Sequence, residues 1–196
     1  MYQYGKGVPQ DYNKAYQCFN QVKDRYPGAL ISLAEITADT KLARDYIAQA
    51  AKAVEADPDP GLDSTLRLAR HFRDGTIVAS SLPLAEYWYG RAIQQNSMSA
   101  MMELATIWNE TGHTPYSDIT ALWQRASQLG NDRAALELGF AYATGNGVAK
   151  DAEQSRRYFM QAVEADPDNA YRIARWYEGR EAQNELYGEV AFNWYR

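Results

Sequence analysis

The side chains that could support catalysis or metal binding are few and scattered along the chain. The sequence contains two histidines, His71 and His113, and neither lies in a Glu-x-x-His or His-x-x-x-His pattern. That spacing matters because a helix brings residues three or four apart onto one face, where they can share a metal ion or a proton. We predict no catalytic residue, no metal site and no cofactor.

Two pairs of acids could suggest general acid–base chemistry, because such chemistry often uses two neighbouring carboxylates. Asp57 and Asp59 flank Pro58, and Asp166 and Asp168 flank a second proline. Proline stops a helix, and aspartate is a preferred cap at the start of the next one. Helix capping in inter-helix turns is therefore the favoured interpretation.

Two pairs of glycines could form a cradle for phosphate, since backbone amides in glycine-rich loops bind anions. Gly5 and Gly7 match Gly145 and Gly147, displaced by 140 residues. Neither pair is followed by Lys-Ser or Lys-Thr, and no strand precedes them, as a nucleotide-binding loop requires. Their recurrence favours turns that need a positive φ, which glycine adopts easily.

The single cysteine, Cys18, excludes a disulfide within the chain and any multi-cysteine metal site. Because Cys18 lies beside Phe19 in a predicted helix, we expect it to be a small buried hydrophobic residue. A single cysteine does not indicate in which cellular compartment the protein works.

Composition excludes one broad class of function. The net charge is −5 and the isoelectric point is near 5.1, whereas a nucleic-acid partner requires a basic surface. No run of about 18 apolar residues and no signal peptide is present, so we predict no membrane span in this segment. The sequence begins and stops inside predicted helices, and we expect it to be cut from a longer array.

The strongest pattern is a repeat of about 35 residues. Its reference copy, Ala134 to Ala170, contains a first amphipathic helix, a glycine loop, a second helix capped by Asp151, and the Asp166-Pro167-Asp168 turn. A small residue recurs in the first helix at successive spacings of 35, 36, 34 and 35, at Ala34, Ala69, Ala105, Gly139 and Ala174.

The repeats predict one array of about eleven helices, an all-α, right-handed α-solenoid of stacked antiparallel helix pairs. Truncated repeats occupy residues 1–28 and 169–196. Four further repeats cover about residues 29–60, 61–96, 97–130 and 131–168. The first of these four has no glycine loop.

The repeat resembles the Sel-one-like repeat, a branch of the tetratricopeptide-repeat superfamily. The resemblance rests on the Ala-x-x-Leu-Gly-x-x-Tyr column, the Gly-x-Gly-Val loop, and aromatic pairs such as Trp88-Tyr89 and Tyr158-Phe159 before an alanine. It implies a bacterial adaptor in envelope assembly, signalling or host contact. It also implies an alternative, a periplasmic scaffold of an exopolysaccharide secretion complex, and slightly favours the cell envelope over the cytoplasm.

From the residues we predict a non-enzymatic scaffold or adaptor that binds a partner polypeptide in a concave groove lined by the first helix of each repeat. The predicted groove residues are those of each first helix that do not belong to its buried apolar face. Several of them are arginines, which suit a partner with an acidic segment. They are Ile31, Glu35, Leu66, Arg70, Arg73, Met102, Thr106, Asn109, Arg133, Leu136, Phe140, Tyr171, Arg175 and Glu178. Solvated arginines paired with nearby acids are the competing interpretation.

Two alternatives stay open. A secretion scaffold would use loops such as Asp74 to Ser81, which contains the apolar pair Ile77 and Val78. A glycan-binding module, the least favoured, would need exposed aromatic residues on one face. Burial of Trp88, Trp108 and Trp123 would remove most of its support.

Overall fold

The structure is a computed structural model and describes residues 1–7, 9–57 and 61–179. All the secondary structure in these residues is helical. The ten helices are α1 (Tyr12–Val22), α2 (Pro27–Ile36), α3 (Thr40–Ala56), α4 (Leu62–Asp74), α5 (Leu82–Gln94), α6 (Met98–Thr111), α7 (Tyr116–Gln128), α8 (Asp132–Thr144), α9 (Ala152–Ala165) and α10 (Asp168–Glu178). The eleventh predicted helix, which contains Trp194, lies outside the described residues.

The chain divides into two compact units, Met1–Ala100 and Met101–Arg196. In unit 1, α2 packs on α3, α4 packs on α5, and α4 also contacts α2. In unit 2, α8 packs on both α7 and α9, and α9 packs on α10. The predicted fold class, an all-α solenoid built of helix pairs, is confirmed. The single array of repeats stays a prediction.

The reference repeat folds as the sequence predicts. Asp151 caps α9 by accepting hydrogen bonds from the backbone amides of Glu153 and Gln154, at 2.9 and 3.0 Å. In α8, Gly139 is buried against the ring of Phe159, and a methyl group at this glycine would overlap that ring. The Ser155 hydroxyl donates to the Gly139 carbonyl at 2.8 Å, which holds the two helices at this short separation.

The glycine loop after α8 has a second role besides turning the chain. Gly145 ends the helix with φ of 84°, and Gly147 has φ of 71°, as predicted for left-handed turn positions. Gly147 also lies directly against the backbone of Tyr116 and Ser117 at the start of α7. The loop therefore contacts α7 of the preceding helix pair, and a side chain at Gly147 would push the loop away from α7.

In the turn between α9 and α10 the capping interpretation of the acid pairs is supported for Asp166 alone, and the N-cap residue of α10 is Pro167. The Asp166 carboxylate accepts a hydrogen bond from the Asp168 amide at 3.1 Å. The buried Asn169 side chain donates to the Ala162 carbonyl at 3.0 Å, which satisfies a carbonyl near the end of α9. The second acid pair, around Pro58, lies partly outside the described residues.

The loop between α4 and α5 is folded back on the protein. The Ser81 amide donates to the Phe72 carbonyl at 2.7 Å, and the Arg44 side chain on α3 donates to the Ile77 carbonyl at 3.3 Å. Ile77 and Val78 are half-buried. Of the two sequence-based interpretations of this loop, the structure therefore supports folding back on the core.

The prediction of a buried Cys18 is wrong, because the side chain is exposed. The apolar face of α1 is also only partly buried: Ala15 is in the core, Phe19 is half-buried, and Val22 is 37% exposed. Within the described residues α1 packs mainly against α2, so only one narrow face of it is covered. In the same part of the chain no helix is both long and apolar enough to span a bilayer.

Candidate functional site

Unit 1 contains a network of charged side chains between α2 and α4. The Arg67 guanidinium on α4 forms an ion pair with the Glu35 carboxylate on α2, at 2.8 Å. The same guanidinium donates to the Ser32 hydroxyl at 3.0 Å and to the Gly28 carbonyl at 3.2 Å. Arg67 therefore joins two successive first helices and uses most of its donors in doing so.

His71 completes this network. Its Nε2 lies 3.3 Å from Glu35, and the Gln3 side chain donates to the same carboxylate at 3.3 Å. Burial alone would raise the pKa of Glu35, but the hydrogen bond from His71 and the charge and hydrogen bond of Arg67 lower it to about 2. Glu35 is therefore ionised throughout the neutral range, and its role is to hold helices together.

A cleft with a volume of about 600 Å³ lies beside the network. Phe19 and Val22 of α1 form one wall, and Asp63 and Arg67 of α4 lie on the other side. The Arg67 guanidinium also lies 3.6 Å from Asp63, so both of these charges are paired. Of the predicted groove residues, none lines this cleft.

The predicted groove residues of unit 1 have different environments. Ile31 has no exposed surface, so it is a core residue and not a groove residue. Arg73 is engaged by the adjacent Asp74 carboxylate at 2.6 Å and donates to the Tyr89 hydroxyl at 3.0 Å. Leu66 and Arg70 are half-buried. Leu66, Arg70 and Arg73 are four and three residues apart on α4 and therefore share one face of that helix, without Ile31.

Unit 2 contains a smaller and more aromatic pocket, with a volume of about 190 Å³. We call it the Glu137 pocket. Its lining combines four aromatic side chains with several polar ones. The lining residues are Asn109, Tyr116, Trp123, Glu137, Phe140, Ala141, Thr144, Asn146 and Trp176.

Four helices build this pocket. Glu137, Phe140 and Thr144 lie on one face of α8 because they are spaced three and four residues apart. Trp176 on α10 packs on Phe140, with ring centroids 4.9 Å apart. Asn109, near the end of α6, accepts a hydrogen bond from the Tyr116 hydroxyl at 2.7 Å. The wall of the pocket is therefore held in place by ring packing and by one polar contact.

Glu137 differs from Glu35 in having no polar partner among the residues that the structure describes. Within the described part of the chain its carboxylate makes no hydrogen bond and no ion pair, and the side chain is half-buried. Burial raises the pKa of Glu137, and the more distant charges of Arg133 and Arg172 offset only part of this rise. The pocket therefore contains a carboxylate that is desolvated and incompletely compensated.

The structure places two predicted groove residues of unit 2, Asn109 and Phe140, in the Glu137 pocket. Leu136 has no exposed surface and Met102 is 8% exposed, so both are core residues instead. Thr106 is half-buried and donates to the Met102 carbonyl at 2.9 Å.

The other predicted residues of unit 2 lie outside the pocket lining. Arg133 and Glu178 are exposed. Arg175 donates to the Tyr171 hydroxyl at 3.3 Å on the exposed face of α10.

Sequence reasoning missed the central residue of the pocket. Counted from the small residue of each first helix, Glu137 occupies the position two residues earlier, as Arg67 does in its own repeat. This exchange of charge was visible in the aligned repeats. Trp123 fits an aromatic column of the repeat and is therefore predicted to pack in the core, whereas Trp176 lies one residue before the column position and is not singled out by the sequence.

The tryptophans bear on the glycan-binding alternative. Trp88 is 3% exposed and Trp123 is 8% exposed, while Trp108 is half-buried. A flat exposed aromatic platform for a sugar ring is therefore not formed by these three residues, which weakens that alternative.

Comparison with known proteins identifies the repeat. The family model of the Sel1 repeat matches residues 1–21, 32–53, 62–97 and 132–167. A solved structure of a Sel1 repeat protein from Oxalobacter formigenes is similar, with a TM-score of 0.68 and 21% identity over 93% of this chain and 78% of that one. Comparison with curated proteins gives no significant match.

A second similar structure is c5321, described as a protective antigen of uropathogenic Escherichia coli with an SLR fold. It has a TM-score of 0.66 and 21% identity, over 98% of this chain and 46% of that one. At this identity the two structures support the fold alone. The segment from 98 to 131, which contributes Asn109, Tyr116 and Trp123 to the Glu137 pocket, lies outside the matched repeats, as does Trp176.

Proposed function

This chain belongs to the Sel1 repeat family, whose repeats generally mediate protein–protein interaction, and we propose that it is a non-enzymatic scaffold or adaptor that binds a partner polypeptide. The fold is typically non-catalytic. The observation that carries the proposal is the Glu137 pocket, where aromatic rings and one incompletely compensated carboxylate surround an open space on unit 2.

The size and lining of the pocket suit a side chain of a partner. Its volume of about 190 Å³ is smaller than the roughly 300–1,000 Å³ of most sites for drug-sized ligands. Tryptophan and tyrosine are enriched among the residues that dominate binding energy at protein interfaces. A rigid aromatic recess of this size can receive one anchoring side chain, with the flanking polypeptide lying on the surface around it.

The acidic ligand expected from the arginines stays a prediction. Arg73 is already paired with Asp74, so an acidic segment would have to compete for it. The secretion-complex scaffold also stays a prediction, which the identity of the partner would test.

We propose to locate the interface by photocrosslinking from single positions. A benzoylphenylalanine at Asn109, on the rim of the pocket, should capture a partner polypeptide from the source organism. The same group at Met160, which is 46% exposed on α9, is the matched control. Equal capture from both positions, or none from Asn109, would refute a binding surface at this pocket.

The acidic-ligand prediction needs its own variant. Arg70→Glu combined with Arg73→Glu and Arg175→Glu should abolish capture if an acidic segment is the ligand. Unchanged capture would show that these arginines do not contribute.

A further inference from the structure

We propose that the Glu137 pocket receives a basic side chain, arginine or lysine, from the partner polypeptide, with the Glu137 carboxylate as its counter-charge. This inference rests on the proposed function and specifies the chemistry of the partner. It follows from the lining of the pocket, from the absence of a polar partner for Glu137 among the described residues, and from a comparison with Arg67.

Burial of the Glu137 carboxylate is only partly compensated by the charges around it. Taking a carboxylate partly out of water costs free energy unless an opposite charge or a hydrogen-bond donor compensates it. Arg133 and Arg172 act on Glu137 only from a distance, and neither lines the pocket. Arg172 already donates to Asn169 at 3.1 Å. A cation entering from the open side of the pocket would supply the missing interaction.

The aromatic lining of the pocket also favours a cation. A cation is attracted to the face of a tryptophan, tyrosine or phenylalanine ring, and the attraction increases when water is excluded. Tyr116, Trp123, Phe140 and Trp176 surround the space next to Glu137. The carboxylate would repel an acidic side chain, and a neutral one would lack the charge that attracts a cation to both the rings and the carboxylate, so the pocket favours a basic side chain.

Unit 1 contains a related pair of opposite charges within the chain itself. In unit 1 a guanidinium and a carboxylate from successive repeats form the Arg67–Glu35 pair at 2.8 Å. Glu137 stands at the repeat position of Arg67, with the sign of the charge reversed. A partner arginine or lysine would therefore complete in unit 2 the kind of pairing that unit 1 makes within the chain.

The test uses the full chain and synthetic glycine–serine peptides that differ only at one central residue. The central residues are arginine, lysine, citrulline, norleucine and glutamate. Binding is followed by the NMR shifts of the indole N–H signals, assigned by replacing single tryptophans. We expect the arginine and lysine peptides to shift the Trp123 and Trp176 signals saturably. Citrulline and norleucine peptides should bind at least about tenfold more weakly, because they retain shape but lack charge.

Glu137→Gln is the informative variant, since it keeps the shape of the side chain and removes its charge. It should weaken binding of the arginine peptide by about tenfold and remove the preference for arginine over citrulline. Glu164→Gln, an exposed position on α9, is the matched control and should bind like the unmodified chain. A folded Glu137→Gln protein that binds the arginine peptide unchanged would overturn the proposal.

Other occupants of the Glu137 pocket would give different results, and each of these results would also overturn the proposal of a basic side chain. Tighter binding of tetramethylammonium than of the basic peptides would indicate a small quaternary ammonium ligand. Dimerisation that Glu137→Gln weakens would indicate a second copy of the chain. A crosslink from the pocket to residues 180–196 of the same molecule would indicate an internal segment.

Failure of this inference is distinguishable from failure of the proposed function. If photocrosslinking from Asn109 captures a partner and Glu137→Gln leaves that capture unchanged, the pocket binds protein without recognising a basic side chain. If Asn109 captures nothing, the proposed interface itself is wrong.

Discussion

Arg67 in unit 1 and Glu137 in unit 2 occupy the same position of the repeat, yet their environments are opposite. Arg67 is bonded to Glu35, Ser32 and Gly28, and its charge is used within the chain. Glu137 has no polar partner among the described residues and lies beside four aromatic rings. The repeat therefore sets where a side chain is presented, while the neighbouring residues decide whether that side chain stabilises the fold or stays available for binding.

The largest expected effect is the loss of the aromatic pocket by overpacking beneath it. Gly139→Leu would overlap the Phe159 ring, which packs edge-on against Phe140 at 5.1 Å. We expect it to lower the free energy of unfolding by about 3 kcal/mol or more. Hydrogen exchange should show the loss centred on the repeats around α8, because repeats contact only their neighbours.

Gly90→Ala is the control for this change. Gly90 lies within α5 and a methyl group there meets nothing within 4 Å, so alanine should stabilise the protein by about 0.5–1 kcal/mol. If Gly139→Leu and Gly90→Ala changed stability alike, the close helix contact at Gly139 would be refuted.

The next largest effect is expected from a substitution that breaks the network of charged side chains between α2 and α4. Arg67→Met keeps the aliphatic stem and removes the guanidinium, leaving Glu35 with His71 and Gln3. We expect destabilisation by about 2 kcal/mol, because one charge of a partly buried pair loses its partner. Chemical denaturation measures it, with Arg156→Met at an exposed position on α9 as the control. Equal stabilities of these two variants would show that the network contributes nothing.

The dependence of stability on pH should distinguish Glu35 from Glu137. The folded pKa of Glu35 is about 2, below its ordinary value of 4.5, so folding favours its ionised form. Its contribution to stability is therefore full above about pH 4.5 and is lost as the pH falls toward 2. We expect roughly 1–2 kcal/mol to disappear over this window, allowing for partial exposure. Glu35→Gln should flatten that part of the stability curve; an unchanged curve would contradict the assignment.

The two glycine loops offer a smaller contrast. Gly7 and Gly147 have nearly equal φ values, 77° and 71°, so alanine is strained by about 1 kcal/mol at either position. Only at Gly147 would the methyl group meet the backbone of Tyr116, whereas Gly7 has open space. Thermal unfolding should therefore show Gly147→Ala to be the more destabilising by about 1 kcal/mol or more. Equal losses would mean that the loop does not pack on α7.

The smallest expected effect is a gain in stability. The pKa of Glu137 is raised by burial, so its ionised form is less favourable in the folded chain than in the unfolded one. At neutral pH Glu137→Gln should therefore stabilise the protein slightly. For the unmodified chain, stability should rise as the pH falls through the folded pKa of Glu137. Destabilisation by Glu137→Gln would show that the carboxylate already has a partner.

Much of the fold could be predicted from the repeats, and little of the site. The Asp151 cap, the left-handed glycines at Gly145 and Gly147, and the small residue at Gly139 follow from local rules of chain geometry. The groove list was less accurate, since Ile31 and Leu136 are core residues. It was drawn from offsets along single helices, whereas burial depends on how wide a face the neighbouring helices cover.

By itself the sequence determined the helix pairs, their caps and turns, and membership of a repeat family, because these depend on residues close together in the chain. Only the tertiary structure decided which charges are neutralised. Arg67 and Glu35 are 32 residues apart, and Trp176 lies 39 residues beyond Glu137. Whether such residues meet depends on the packing of successive repeats. That packing satisfies Arg67 and leaves Glu137 beside an aromatic recess.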